Sequence, residues 1–366
     1  MSVLSFAGYL MKIVGIGGGT GLPALLGGLR QLRELNADGT GRDRVQASAI
    51  VCVSDDGGSS GMLRRSFPIP AVGDLRNCLI ALSSGSPALR EIFQYRLPED
   101  SGLDGHSLGN LIVAALSDRS GNLRQAIRLA SEFLGLQGEV FPCTETSASL
   151  CAQFVDGEIV CGETRIAALR KKILRVWLDP ADAPPTPGVI ETLLTADAIV
   201  LGPGSLYTSV IPNLLLSGIA KAIVESRALK ILVCNLMTQP GETEFYPASE
   251  HVKVIQGYLG ESGLQICVLN STPVPNALAA RYASAGSVAV LNDEDGISKR
   301  GVIPISLDLL SDCEHEARHD SLKLARWVVA LTRAYRRSRE LQAGSVRCVT
   351  GSARDAIASL AVEAAS

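Results

Sequence analysis

The chain has 366 residues, 46% of them apolar and 19% charged, with a formal net charge of −3. It is longer than the roughly 250–300 residues at which a single core stops growing, so one large α/β unit with an excursion or an appended tail is expected. The near-neutral balance supplies no global field toward nucleic acid or a membrane surface, and no apolar run reaches the ~18 residues of a spanning helix.

Residues 1–10 are apolar but too short for a secretory leader, and they lack a charged leading region and a small-residue cleavage site. Met11 directly precedes the first strand, so either Met1 or Met11 is the start. Residues 12–16 read as a buried strand that ends in Gly17-Gly18-Gly19-Thr20-Gly21, and leucines at helical spacing follow over 22–35. Glycines between a strand and a helix let the backbone approach a phosphate, and the helix N-terminus adds free N–H groups and a positive dipole end. The spacing Gly17-x-Gly19-x-Gly21 is not that of the dinucleotide fingerprint, and the lysine of a P-loop is missing. A tight turn that binds nothing is the competing reading. Residues 36–44 form a polar loop.

A second strand over 47–53 ends in Asp55-Asp56-Gly57-Gly58-Ser59-Ser60-Gly61. Carboxylates at that position hold ribose hydroxyls in dinucleotide folds, and a pair of them suits Mg²⁺, a cation that prefers oxygen ligands and bridges to phosphates. Asp55 and Asp56 are therefore candidate metal ligands, with Ser59 and Ser60 as donors beside them. Helices over 75–83 and 108–116 are each entered from a glycine-containing loop. Asp74 reads equally as an N-cap or as a ligand contact, and Asn77 as a donor to a base or ribose. Ahead of the next helix, His106 reads as a general base or as a cap, with Asn110 beside it. A helix spans 122–136.

Between 138 and 187 the pattern changes to alternation around Asp156-Gly157, a hairpin signal, with a strand at 172–178 and a turn at Pro184, Pro185 and Pro187. This is read as a β excursion. The strand–helix rhythm returns with a helix at 189–195 and a strand at 198–201 that ends in Gly202-Pro203-Gly204-Ser205. Thr208 and Asn213 extend this second candidate phosphate loop. Strands at 229–234, 264–269 and 287–291 follow, and the first of them ends in a loop with Asn235, Thr238 and Gln239. A long helix covers 318–341. Residues 343–366 form a tail of small residues, so the nucleotide-binding unit spans 11–342. Strands alternating with helices predict a parallel sheet covered on both faces, with ligands beyond the carboxyl ends of its strands.

Nine scattered cysteines with no CxxC pattern are expected to be reduced. Cys313, His315 and His319 lack a second ligand group for zinc and read as helix surface. Arg333, Arg336, Arg337 and Arg339 complement a helix dipole rather than a nucleic acid.

In this order, the strings IGGGTGL, VSDDGGSSGMLR, GDLRNCLIAL, GHSLGNL, GPGSLYTSVIPNLL and CNLMTQPGET resemble the YvcK/CofD-like family, over residues 13 to about 243. The resemblance is nearer to the YvcK branch, the gluconeogenesis factors, than to CofD, the 2-phospho-L-lactate transferase. It implies a Rossmann-like, three-layer fold with helices on both faces of a parallel sheet. It also implies a cytoplasmic protein that binds a nucleoside diphosphate-sugar such as UDP-GlcNAc, with a role in cell shape and carbon metabolism. No organic cofactor is implied, Mg²⁺ is compatible, and the oligomeric state is left open. The alternative is a CofD-like transferase that moves a phosphoryl-linked group from a nucleoside diphosphate donor.

Overall fold

The computed structural model describes residues 9–35, 43–67, 69–98, 101–103 and 105–344. Its strands are β1 (Tyr9–Gly17), β2 (Asp43–Val51), β3 (Gly138–Pro142), β4 (Ser149–Phe154), β5 (Ile159–Cys161), β6 (Ile173–Asp179), β7 (Ala198–Leu201), β8 (Leu229–Val233), β9 (Ile266–Asn270) and β10 (Ile303–Leu307). Seven of them form one parallel sheet in the order β10-β9-β8-β7-β1-β2-β3. Strands covered on both faces have no solvated side to alternate toward. Every residue of β7 (AIVL) and of β8 (LKILV) is accordingly buried.

The chain moves outward from β1 to β2 and β3, then returns to the other flank of β1 at β7 and runs out to β10. Ile13 pairs with Ala198 and Ile16 with Leu201, so β1 and β7 lie side by side while their outgoing connections diverge. That divergence opens a crevice beyond their carboxyl ends. The helix Gly21–Leu35 covers the sheet with Leu22, Leu25, Leu26 and Leu29, all buried. It packs so closely on the C-terminal helix Ser321–Gly344 that a side chain at Gly28 would collide with the Ser321 carbonyl.

Several expectations need correction. Strand 138–142 belongs to the main sheet, paired with β2 from Ala47↔Gly138 to Val51↔Pro142. The excursion is therefore a three-stranded antiparallel sheet, β5-β4-β6, built from residues 149–179. Asp156-Gly157 turns its hairpin as expected, with Gly157 at φ 90°. Cys151 and Cys161, opposite each other on that hairpin, form a disulfide rather than remaining thiols. Sequence spacing alone does not reveal a pairing that β-register creates. Residues 287–291 form no strand and contribute only an isolated bridge, Met237↔Ala289. The edge strand β10 was missed because its run is broken by Pro304. The short helices Gly58–Ser66, Pro87–Gln94 and Ala248–Leu259 were also missed. The long C-terminal helix begins at Ser321, so Arg318 and His319 precede it.

The strand β1 starts two residues before Met11, and residues 1–8 lie outside the described residues, as do most of the loop at 36–44 and the tail from 345 onward. Among the described residues, no single helix is long and apolar enough to cross a membrane.

Candidate functional site

The crevice is walled by the two glycine-rich loops that follow β1 and β7. Gly19 is left-handed (φ 62°), and its N–H donates to Asp74 Oδ2 at 2.5 Å. A Cβ at Gly19 would meet only Ser209 Oγ, at 3.7 Å, so space remains open over this residue. Gly18 and Gly21 are constrained differently. A methyl at Gly18 would lie 2.5 Å from Asp74 Oδ2, and one at Gly21 would strike the Pro203 carbonyl. These two glycines let Asp74 and the Pro203 loop pack close against this loop, a structural role that stands beside the phosphate reading. Facing them, the Gly204 N–H donates to Asn235 Oδ1 at 3.1 Å, while Asn235 Nδ2 donates to the Gly204 carbonyl at 2.9 Å. Gln239 Nε2 donates to Ser205 Oγ at 2.6 Å. The loops after β7 and β8 are thus stitched together by side-chain amides.

These loops border a cleft of about 370 Å³. It is lined by the backbone and hydroxyls of Gly19, Thr20, Gly204 and Ser205, by the apolar Leu236 and Met237, and by Tyr282, Ser287, Arg318 and His319. The start of helix Gly21–Leu35 opens onto it, where the first N–H groups of a helix have no partner within the helix. His319 is buried, its Nε2 has no hydrogen-bond partner, and burial pushes its imidazole down to about 4. Reading His319 as helix surface was therefore wrong: tertiary packing brings it to the cleft from the segment ahead of the last helix.

On the β2 side, four carboxylates influence one another. Glu163 is pushed up to about 9, first by burial and then by Asp55, Glu242 and Asp74. Asp74 is raised to about 6 by burial and by Asp55, against the opposing Gly19 N–H bond. Glu242 is raised to about 7 by burial, although Thr208 Oγ1 and the Tyr207 N–H donate to it at 3.2 and 3.3 Å. The adjacent pair Asp55 and Asp56 separates. Asp55 Oδ1 accepts from the Gly57 N–H at 2.8 Å, whereas Asp56 Oδ1 accepts from both the N–H and the hydroxyl of Thr164 at 2.9 Å. Asp56 therefore anchors the start of the helix Glu163–Leu169. Among the described residues, no three His, Cys, Asp or Glu side chains are grouped to hold a metal ion.

The remaining candidates divide into linkers and internal braces. Ser59 Oγ lies 2.9 Å from His106 Nδ1 and receives Asn110 Nδ2 at 3.0 Å. Ser60 Oγ accepts from the Gly73 N–H at 3.2 Å, and Asn77 Nδ2 donates to the Gly19 carbonyl at 3.5 Å. Asp74 sits in the first turn of helix Gly73–Leu82, whose N-cap is Val72, so the N-cap reading of Asp74 fails. Ser107 rather than His106 caps the helix Leu108–Ser120. Gly17 and Gly202 continue the strand ladder, accepting from the Cys52 N–H and donating to the Ile16 carbonyl, each at 2.8 Å.

Thr208, Asn213 and Thr238 are buried and engaged internally: Thr208 with Glu242, Asn213 with the Ser209 carbonyl at 2.7 Å, and Thr238 with the Val288 N–H at 3.0 Å. Bonds and close contacts nevertheless join all six candidate loops at one edge of the sheet. Glu163, Glu242, Tyr282, Arg318 and His319 were missed as site residues. Glu242 lies within the string CNLMTQPGET that carries the resemblance, whereas Glu163 is marked only by the glycine before it, Gly162.

Residues 13–310 match the family described as 2-phospho-L-lactate transferase CofD. The chain is 41% identical to the gluconeogenesis factor of Halalkalibacterium halodurans over 314 residues, which are 86% of this chain and 94% of that one. It is 38% identical to the gluconeogenesis factor of Bacillus subtilis over 324 residues, which are 88% of this chain and 99% of that one. A crystal structure of a Bacillus halodurans protein superimposes with a TM-score of 0.82 at 40% identity, covering 87% of this chain and 99% of that one.

Proposed function

The chain belongs to the CofD family, and from that premise we propose that it is a nucleotide-sugar binding protein of the gluconeogenesis-factor type. Its ligand is a nucleoside diphosphate-sugar, with a UDP-sugar such as UDP-GlcNAc as the representative. The observation that carries this reading is the open backbone at Gly19, which faces the crevice between β1 and β7 at the start of helix Gly21–Leu35. A diphosphate there lies at the start of the helix Gly21–Leu35, whose first N–H groups have no carbonyl partner within the helix, while the Gly19 N–H itself is held by Asp74. Thr20 and Ser205 supply hydroxyls, and the other residues that line the cleft, Tyr282 and Arg318 among them, receive the rest of the ligand.

Mg²⁺ belongs to the same reading. It would draw on Asp55 together with phosphate oxygens, because Asp56 is committed to Thr164 and Mg²⁺ commonly takes one or two carboxylates plus phosphates. The protein acts in the cytoplasm, and the bound sugar nucleotide reports on carbon metabolism and cell shape.

Calorimetric titration with UDP-GlcNAc, with and without Mg²⁺, tests the reading. In Gly19→Val, a branched side chain enters both the open space and a left-handed backbone position, at a conformational cost of about 1–2 kcal/mol. Loss of binding in a variant that keeps its circular dichroism is expected. Unchanged affinity in that variant would refute the diphosphate assignment.

A second reading, transfer of a phosphoryl-linked group, is supported by Asp74. Burial raises this carboxylate to about 6 beside the Gly19 loop, a value suited to a general base near neutral pH. Mass spectrometry of the ligand and acceptor after incubation separates turnover from binding.

A further inference from the structure

The loop after β8 borders two cavities. Residues 235–240 line the cleft described above, and the same loop continues through Gly241, Glu242, Phe245 and Tyr246 along a second cavity of about 410 Å³. That volume falls in the range of small-molecule sites, roughly 300–1,000 Å³. The loop is held firmly here. Gly241 (φ 82°) packs so close to the helix Glu163–Leu169 that a Cβ would strike the Ala167 carbonyl. The Thr243 N–H donates to the Gln239 carbonyl at 2.9 Å, and the Tyr246 N–H to the Thr243 carbonyl at 3.0 Å.

Among the described residues, two that are not glycine have a left-handed backbone, Arg170 and Phe245. Arg170 is the C-cap of the helix Glu163–Leu169, an ordinary place for that conformation. Phe245 caps no helix, and for a bulky side chain φ 57° is an outlier. Its ring is 81% exposed, so packing within the chain does not compensate for the backbone. Strain of this kind gathers at ligand clamps. Tyr246, half-buried and edge-on to His251 with ring centres 5.9 Å apart, lines the same cavity and adds a second aromatic surface.

Three lysines also line it. Lys171 pairs with Asp156 and Glu158 at 2.6 and 2.5 Å, and Lys253 with Glu250 at 2.9 Å. Lys172 is exposed and, among the described residues, forms no ion pair. Its backbone is fixed, because its carbonyl accepts from the Val155 N–H at 3.1 Å. Glu242 and Glu244, the other lining carboxylates, accept from Thr208 Oγ1 and from the Gly241 N–H at 3.2 and 3.3 Å. Lys172 therefore has a charge to offer to something outside the chain.

We propose that this cavity is a second ligand site, for a small molecule that carries a flat ring and an anionic group, with Phe245 stacking on the ring and Lys172 pairing with the anion. The site is separate from the nucleotide-sugar cleft and does not depend on that reading. An aromatic face favours offset or edge-on contact with another ring, and a lysine–anion hydrogen bond is strengthened by charge.

Fluorescence titration with 1-anilinonaphthalene-8-sulfonate, which has flat rings and a sulfonate, tests the proposal. Wild type should bind the dye saturably at a single site, with or without saturating UDP-GlcNAc. Phe245→Gly removes the ring at a backbone position that glycine adopts freely, so the variant keeps its fold, checked by circular dichroism. It should bind the dye roughly tenfold more weakly. Lys172→Glu should lose at least as much, and Lys172→Arg should retain binding. Among competitors, 1-naphthyl phosphate should displace the dye better than either inorganic phosphate or neutral 1-naphthol. No saturable dye binding, or undiminished binding by Phe245→Gly or Lys172→Glu, would overturn the proposal. Inorganic phosphate competing as well as 1-naphthyl phosphate would overturn the stacking role, and 1-naphthol doing so would overturn the anion role. None of these results bears on UDP-GlcNAc binding, which is measured separately.

Discussion

Glu163 shows how this site opposes charge and burial in one residue. Its carboxyl is pushed up to about 9, chiefly by desolvation and then by three neighbouring acids. In the unfolded chain it titrates near the ordinary glutamate value, about 4.3. Below that value both states are protonated, and the group costs the fold nothing. As pH rises from there to about 9, the folded protein retains a proton that the unfolded chain has released, so stability falls continuously across the window. Glu163→Gln mimics the neutral form and should be nearly neutral at pH 4, below the unfolded glutamate value. At pH 8 it should raise the melting temperature by about 1–2 °C for each kcal/mol of relieved desolvation. A melting series from pH 4 to pH 9 checks this, and a constant difference between variant and wild type would refute it. At the same scale, Gly18 and Gly21 are glycine because of Asp74 and Pro203, which they contact directly, whereas Gly19 stays open toward the cleft.

At the scale of elements, the small sheet β5-β4-β6 serves the site through the short helix that follows it. The disulfide between Cys151 and Cys161 closes the hairpin, and Gly162 then leads into Glu163–Leu169. That helix presents Glu163 to the acidic cluster and is held at its start by Asp56 through Thr164. Adjacent residues on one loop therefore have separate tasks. Asp56→Ala should behave as the loss of a helix-start acceptor, costing about 1 kcal/mol and lowering the melting temperature by about 1–2 °C, with no change in the Mg²⁺ dependence of nucleotide binding. Asp55→Ala should instead abolish that dependence and leave the melting temperature nearly unchanged. Differential scanning fluorimetry paired with calorimetry in Mg²⁺ and in EDTA reads both effects. Reversed phenotypes would show that Asp56 holds the cation.

At the scale of the whole molecule, the strand order brings together loops separated by nearly two hundred residues. The glycine loop after β1 and the one after β7 share a wall because β7 returns to the flank of β1. Nucleotide binding should therefore slow hydrogen exchange in 17–22 and 202–209 together, with the same ligand concentration dependence. Protection of one segment alone, or with two different midpoints, would mean two independent sites. Much of this was visible in the amino-acid sequence. Apolar runs leading into glycine-rich or polar loops marked β1, β2, β7 and β8, and their alternation with helices predicted a parallel sheet covered on both faces. The glycine-rich strings marked where backbone comes close to something. What they could not say is what it comes close to: at Gly18 and Gly21 it is another loop of the same chain. Residues that are ordinary in sequence, such as Glu163, Glu242 and His319, owe their shifted ionisation to burial and to neighbours far away along the chain. The pairing of Cys151 with Cys161 likewise depends on strand register. Local pattern determined the elements and the sheet edge that carries the site. Tertiary structure alone decided which side chains face the cleft and which brace it, because burial and proximity arise only when distant segments pack.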